Sequence, residues 1–482
     1  MPIKNKVVVS STPISERWVF YGFLTLIAWL PLPLGSKYPL GWGIMEIASF
    51  SLLSIWLITQ LFETRSPWLH AFPTTKVVLL LFVATIGYQL LQVMPLPLKA
   101  IHFLSPNTFD VYSLTQVEIP KTSFSISLDI GLTLQELLKS MAYVSLFLLT
   151  LVLVNSQKRL EKLVFLLIIV GFSEALLGLT EVYVGSDLFK KPFFVIRGGA
   201  VSSATGTYAN NNQFGGLLEM AIPLSVGMLM ATTVHHPSYS HWRARLAGVT
   251  QWLLSPRIWF YLFTTTMITA LLYSTSRGAN ISLIAAASLT TGLIVLFRKS
   301  ATGEKKSRLL PMLTLPLVIA LWLGGHQLFS RFEAQGLETD RQQHREIAYR
   351  VIADYPIFGV GSGNWSHVYM AYHSPEYYSH ALLNNVHNDY LELLVEQGLI
   401  GFILFGSAIL LTLGTMIVAL CRRQDPLMRG VLFGCVTATL SLLIHSLVDY
   451  NLHIPANAAW FTVILAMGLI AARMPSDTSR SG

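Results

Sequence analysis

The stretch 387-HNDYLELLVEQGLIGFILFGSAILLTLGTMIVAL-420 decides how this chain is read. From Gly398 onward it is an uncharged apolar run long enough to cross a bilayer, which takes about 17 to 25 residues. Just ahead of the run stand a titratable imidazole, His387, and a polar helix start, Asn388 and Asp389. A proton acceptor at a lipid boundary points to chemistry on a lipid-linked substrate. A lone histidine beside a helix cap is more often an ordinary solvated loop residue, so the rest of the chain has to separate the two readings.

Similar runs recur from end to end. The 482 residues are 53% hydrophobic and 12% charged, with mean hydropathy +0.55, whereas soluble domains carry about a quarter charged residues. Composition therefore predicts an all-α polytopic membrane protein with about twelve transmembrane helices. The spans are expected near 18–36, 42–63, 76–96, 134–154, 160–182, 214–234, 257–275, 279–297, 309–328, 398–420, 428–448 and 454–473. The first reads as a retained helix, because no small-residue cleavage site follows a short apolar region. The two cysteines, Cys421 and Cys435, offer the loops no disulfide framework.

The net charge of +8 is not a nucleic-acid signature, because its basic residues alternate with the spans instead of clustering in one domain. Lys4, Lys6 and Arg17 precede the first span. Lys158, Arg159 and Lys162, then Arg243, Arg245 and Arg257, then the Arg298–Arg308 segment, Arg422, Arg423 and Arg429, and finally Arg473 and Arg480 fall in every second connection. The positive-inside bias assigns these connections and both termini to the cytoplasm. The intervening loops 97–133, 183–213 and 329–397 are then exported.

This pattern divides the chain into N-terminal transmembrane helices, about five, over 1–182, with exported loop 97–133. A membrane region follows over 183–473 and includes the large loop 329–397, and a short cytoplasmic tail closes the chain at 474–482. The large loop is far longer than the usual 12 to 15 residues of an unstructured connection and is predicted to be partly folded. Residues 340–355 read as an amphipathic helix with Ile347, Val351 and Ile352 on one face, ended by Pro356. Gly359, Gly361 and Gly363 then form a flexible turn. They lack the strand, the βαβ unit and the later acidic residue of a dinucleotide site.

Exported loops are poor in arginine, so Arg197, Arg277, Arg341, Arg345 and Arg350 stand out. Arg277 lies between two spans with almost no loop, where a guanidinium is costly unless an anion, a cavity or a carboxylate receives it. A diphosphate is one such anion, and arginine offers it a bidentate fork. Snorkelling to the interface and pairing with a carboxylate remain open.

His387 precedes a helix whose N-cap, Asn388, and dipole favour a neutral imidazole and a nearby phosphate. Gly398 and Gly401 read as a close-packing face against a neighbouring helix. His344, His367, His373 and His380 match no compact metal-ligand spacing. Glu338 and Asp340 form a carboxylate pair that is either a solvated loop feature or a metal site. Asn210, Asn211 and Asn212 suit hydrogen bonding to a sugar or diphosphate, and equally suit a helix cap. Asp449, with His445 and His453 nearby, is expected to pair with one of the arginines.

Together these elements resemble the bacterial O-antigen ligase and Wzy-type polymerase superfamily. The ligase pattern is His, then Asn, Ser or Gln, nine residues, Gly, two residues, and Gly, Thr or Tyr, which His387, Asn388, Gly398 and Gly401 meet. Ser276-Arg277-Gly278, the segment Gly206 to Asn212 and the glycine string at 359–363 also match, over roughly 195–450. The resemblance implies a GT-C-like, inverting glycosyltransferase of the bacterial inner membrane, with its active site on the periplasmic face and no metal or cofactor. Its donor is a glycan on undecaprenyl diphosphate. Its acceptor is a lipid A core sugar in a ligase, or another glycan in an O-antigen or exopolysaccharide polymerase.

Carried onto this chain, His387 becomes the base and Arg277 the diphosphate contact. Arg197 and Arg345 become further phosphate or acceptor contacts, with Asn210, Asn212 and Asn388 as substrate-binding amides. Two other classes stay open: a transporter of a small anion such as bicarbonate, and a structural subunit of a polysaccharide assembly complex.

Overall fold

The computed structural model describes residues 14–61, 73–115, 124–184, 203–232, 255–297, 338–373 and 385–475. It is an α-helical bundle with no strand among these residues beyond a single antiparallel bridge, Leu96 to Phe124. In chain order the helices are α1 (Ile14–Trp29), α2 (Pro39–Leu61), α3 (Pro73–Val93), α4 (Leu98–Leu104), α5 (Pro106–Thr115), α6 (Ile130–Leu153), α7 (Gln157–Val184) and α8 (Asn211–Ala231). They continue as α9 (Pro256–Tyr273), α10 (Arg277–Phe297), α11 (Glu338–Asp354), α12 (Trp365–Tyr372), α13 (Asp389–Arg422), α14 (Pro426–His445) and α15 (Pro455–Arg473).

The protein is an all-α polytopic membrane protein: nine of the described helices are long and apolar enough to cross a membrane. Two further expected spans coincide with α1 and α9, which are shorter at 16 and 18 residues. The expected span 309–328 lies outside the described residues. The first span also stops short of the sequence expectation, at Trp29 instead of residue 36. Pro31 and Pro33 lack the amide protons a helix needs there, and the chain turns instead.

Helices α8 and α15 are buried along almost their whole length and α14 along most of it, so they form the bundle's axis. Small residues set how close they come. A Cβ on Gly227 of α8 would lie 2.1 Å from the carbonyl oxygen of Gly430 on α14, and one on Gly434 would lie 2.8 Å from Cα of Leu224. Without side chains in the way, the two backbones touch. The more lipid-like faces belong to α2, α3, α10 and α13.

The expected 340–355 helix is α11, and Ile347 and Val351 are buried while Glu346 is exposed. With Ala348, Tyr355, Val360, Trp365, Val368 and Tyr369 they make a separate small core, to which Val386, Leu391 and Val395 at the start of α13 belong. The cap formed by α11 and α12 is thereby fixed to the end of the bundle where α13 begins. The loop 97–133 is also folded, through α4, α5 and the Leu96–Phe124 bridge.

Gly398 and Gly401 do not pack against a neighbouring helix as the sequence reading expects. Gly398 has φ 59° and ψ −166° and breaks α13 into a short first segment and a long second one. The broken helix leaves backbone groups without helical partners, and the loop after α11 supplies them. Val360 N and Gly361 N donate to the carbonyls of Val395 and Glu396, at 2.9 Å each. Leu399 N and Ile400 N donate to Pro356 and Ile357 carbonyls, at 2.9 and 3.3 Å. A Cβ on Gly398 would stand 2.3 Å from the Ile357 oxygen and one on Gly359 would stand 2.5 Å from Glu396 backbone atoms, so both crossing points require glycine. Gly401 makes room for Gln397, whose side chain would meet a Cβ there at 2.3 Å.

Candidate active site

His387 sits at the mouth of this arrangement. Its backbone is in the left-handed region, φ 57°, which a residue with a Cβ adopts only when its surroundings enforce it. Those surroundings are the first turn of α13 and the turn after α14. Asn388 caps α13 by accepting from Tyr390 N and Leu391 N, and its amide donates to the Leu447 carbonyl at 2.9 Å. Asp389 is buried and accepts from Ser446 Oγ at 2.7 Å and Leu452 N at 3.2 Å. His453 Nδ1 lies 2.8 Å from its other oxygen, and His453 Nε2 lies 3.4 Å from Glu392. Burial opposes a charge on His453, but Glu392 and Asp389 outweigh it and raise its pKa well above the ordinary histidine range. This network stitches residues 387–392 to residues 446–453.

The stitching places Asp449 opposite His387. Nδ1 of His387 faces Oδ1 of Asp449 at 3.8 Å, and the His387 side chain keeps 18% of its surface open. Asp449 is the hub. Its Oδ2 accepts from Asn212 Nδ2 at 2.6 Å and lies 3.7 Å from Arg341, while its Oδ1 accepts from Tyr450 N at 2.8 Å. Burial alone would raise this carboxyl, but His387, His445 and Arg341 outweigh it and hold the group down at about 2. Asp449 is therefore a fixed negative charge. The rings of Tyr450 and His344 complete the wall around the imidazole, with centroids 4.7 Å and 6.2 Å away.

Arg277 is the first residue of α10, and the turn before it carries Thr275 at φ 56°. This turn is wedged between the other pieces of the site. Asn211 Nδ2 donates to the Ser274 carbonyl at 2.7 Å, and a Cβ on Gly278 would meet His445 at 2.6 Å and Val448 at 3.2 Å. Arg277 thus flanks the turn that carries Asp449. Its side chain is half-buried, and no carboxylate pairs with it among the described residues.

The remaining sequence candidates fall into place unevenly. Asn210 caps α8, accepting from Asn212 N at 2.8 Å, and Asn212 itself orients Asp449. Arg345 donates through Nε to the Arg341 carbonyl at 3.3 Å, one turn along α11, and is half-buried. Arg197, and the side chains of Glu338 and Asp340, lie outside the described residues. His367 is displaced from the site, 3.4 Å from Asp129.

Three residues enter that sequence reasoning did not assign: Arg341, His344 and Tyr450. Arg341 and His344 carried a signal, since they share with Arg345 the i, i+3, i+4 spacing of one helix face. Tyr450 carried none beyond its position next to Asp449.

The fold and site define an α-helical membrane protein with a histidine, a buried carboxylate and arginines gathered at one end of its bundle, under a small folded cap. Residues 262–406 match the family model described as O-antigen ligase, in line with the superfamily its motifs resemble. The match includes Arg277, Arg341, Arg345, His387, Gly398 and Gly401; Asn212 and Asp449 come from outside it. No curated protein matches the chain.

Proposed function

We propose that this protein is a membrane glycosyltransferase that moves a glycan from undecaprenyl diphosphate to an acceptor hydroxyl. The observation that supports this reading best is the pairing of His387 with the fixed charge of Asp449 beside Arg277, an arginine with no protein carboxylate among the described residues. The carboxylate on the Nδ1 side of His387 favours a proton on Nδ1, which leaves Nε2 as the acceptor.

In the proposed step Nε2 of His387 takes the proton of the acceptor hydroxyl. The acceptor oxygen then attacks the anomeric carbon from the face opposite the diphosphate, and the bond from that carbon to the phosphate oxygen breaks. The bonding pair leaves on the diphosphate, whose growing charge Arg277 stabilises, with Arg345 and Arg197 as further contacts. A single displacement inverts the anomeric centre, and no metal is assigned a part. The acceptor is a lipid A core sugar or a second glycan, and the site faces the periplasm from the inner membrane.

The test is transfer by the purified protein from a lipid diphosphate glycan, with the product's anomeric configuration read by NMR. Inversion supports a single displacement; retention overturns it, and no transfer to either acceptor class overturns the function.

A further inference from the structure

Between α1 and α2 the chain makes a tight turn through three consecutive residues in the left-handed region, Leu34 at φ 58°, Gly35 at φ 67° and Ser36 at φ 56°. Two of these carry a Cβ that crowds the following carbonyl in that conformation, so tertiary contacts must enforce the turn. The contacts are plain. Thr207 Oγ1 donates to the Pro31 carbonyl at 2.8 Å, and Ser36 Oγ donates to the Leu30 carbonyl at 2.7 Å. A Cβ on Gly35 would strike Tyr208 at 2.6 Å and Ile454 at 3.1 Å. Thr207 and Tyr208 precede Asn212, and Ile454 follows Tyr450, so the turn docks on both segments that hold Asp449.

What this strained turn presents is Lys37. Its Nζ stands 5.8 Å over the ring of Tyr450, the same ring that walls His387. Asp449 is the carboxylate whose charge reaches Lys37, and its oxygens are already occupied by Asn212, Tyr450 N, Arg341 and His387. No ion pair involves Lys37 among the described residues. Burial draws its ammonium below the ordinary lysine range, with Asp449 pulling the other way. A half-buried cation held at a polar site by strained backbone, without a protein counterion, is an anion contact in waiting.

We propose that Lys37 is a substrate-binding residue of this site, contacting the diphosphate of the lipid-linked donor beside Tyr450. This rests on the glycosyl-transfer reading above. It adds a contact from the α1–α2 turn, far from residues 262–406 in sequence.

The experiment uses the full-length protein in phospholipid-free detergent, with Lys37→Ala, Lys37→Gln and Lys37→Arg variants. Farnesyl diphosphate binding is measured directly, with farnesol as the neutral probe, alongside donor and acceptor KM and kcat. The expected result for Ala and Gln is a farnesyl diphosphate affinity and donor KM worse by about 10- to 100-fold, the scale of a lost charge-assisted contact. Farnesol binding and acceptor KM should hold, and Arg should recover most of the loss.

Unchanged diphosphate affinity in both Ala and Gln overturns the proposal. So does an equal loss of farnesol binding, which marks a structural role, or a rise in acceptor KM alone, which places the anion on the acceptor. Thermal unfolding of each variant separates lost contact from lost fold. Wild-type protein that binds farnesyl diphosphate through Lys37 yet transfers nothing would defeat the transfer reading and leave the anion contact standing.

Discussion

Oδ1 of Asp449 lies 3.8 Å from Nδ1 of His387, although the two residues arrive from different helix ends, Asp449 after α14 and His387 before α13. The gap is longer than a hydrogen bond and short enough for charge to act across it. A modest closing motion on substrate binding would complete the contact, as catalytic hydrogen bonds often do.

Asp449→Asn should therefore leave the protein folded and depress transfer by roughly 100-fold or more, because the amide no longer directs the imidazole proton to Nδ1. Initial rates at saturating donor check this. An Asn variant with near-normal kcat would remove Asp449 from the mechanism.

The same carboxyl gives a pH signature. Its folded value is held near 2, against 3.8 for an unperturbed group, so its stabilising effect is complete above about 4. It is lost only as pH falls from there toward the folded value. Thermal unfolding of wild type and Asp449→Asn should thus differ at pH 5 and converge as pH falls from about 4 toward 2.

Gly398→Ala and Gly359→Ala each put a Cβ into backbone atoms at 2.3 to 2.5 Å. Loss of the positive-φ residue and overpacking together should cost about 2 to 4 kcal/mol. Lower yield and a lower unfolding temperature in detergent would register it. Gly406→Ala, with nothing within 4 Å of the added Cβ, is the control that should behave as wild type.

Much of this was legible in the sequence, for physical reasons that also mark the limit. Apolar runs announce helices, so the spans among the described residues lie near their expected places, and the 340–355 periodicity matches α11. Pro31 cut the first span short in a way hydropathy averages over. The roles of Gly398 and Gly359 were illegible, because each is defined by a backbone crossing between segments far apart in the chain. His387 was legible as a candidate from its own motif. Its partner Asp449 was legible as a charge expected to pair with an arginine, and which arginine, Arg341 at 3.7 Å, is set by where α11 docks.

Arg277→Ala should reduce transfer by about 100-fold or more, the loss typical of one preorganised charge at a developing anion. Arg341→Ala should act more mildly and chiefly on kcat, since Arg341 supports Asp449 at 3.7 Å. Steady-state kinetics with donor varied distinguishes the two, and equal defects in KM alone would contradict this division.

Transfer by His387→Ala is the most direct measurement of all. With purified protein, lipid diphosphate glycan donor and acceptor, the account predicts loss of transfer by at least about 100-fold at neutral pH, while donor binding and unfolding temperature stay near wild type. Transfer at the wild-type rate by a folded His387→Ala variant would contradict it.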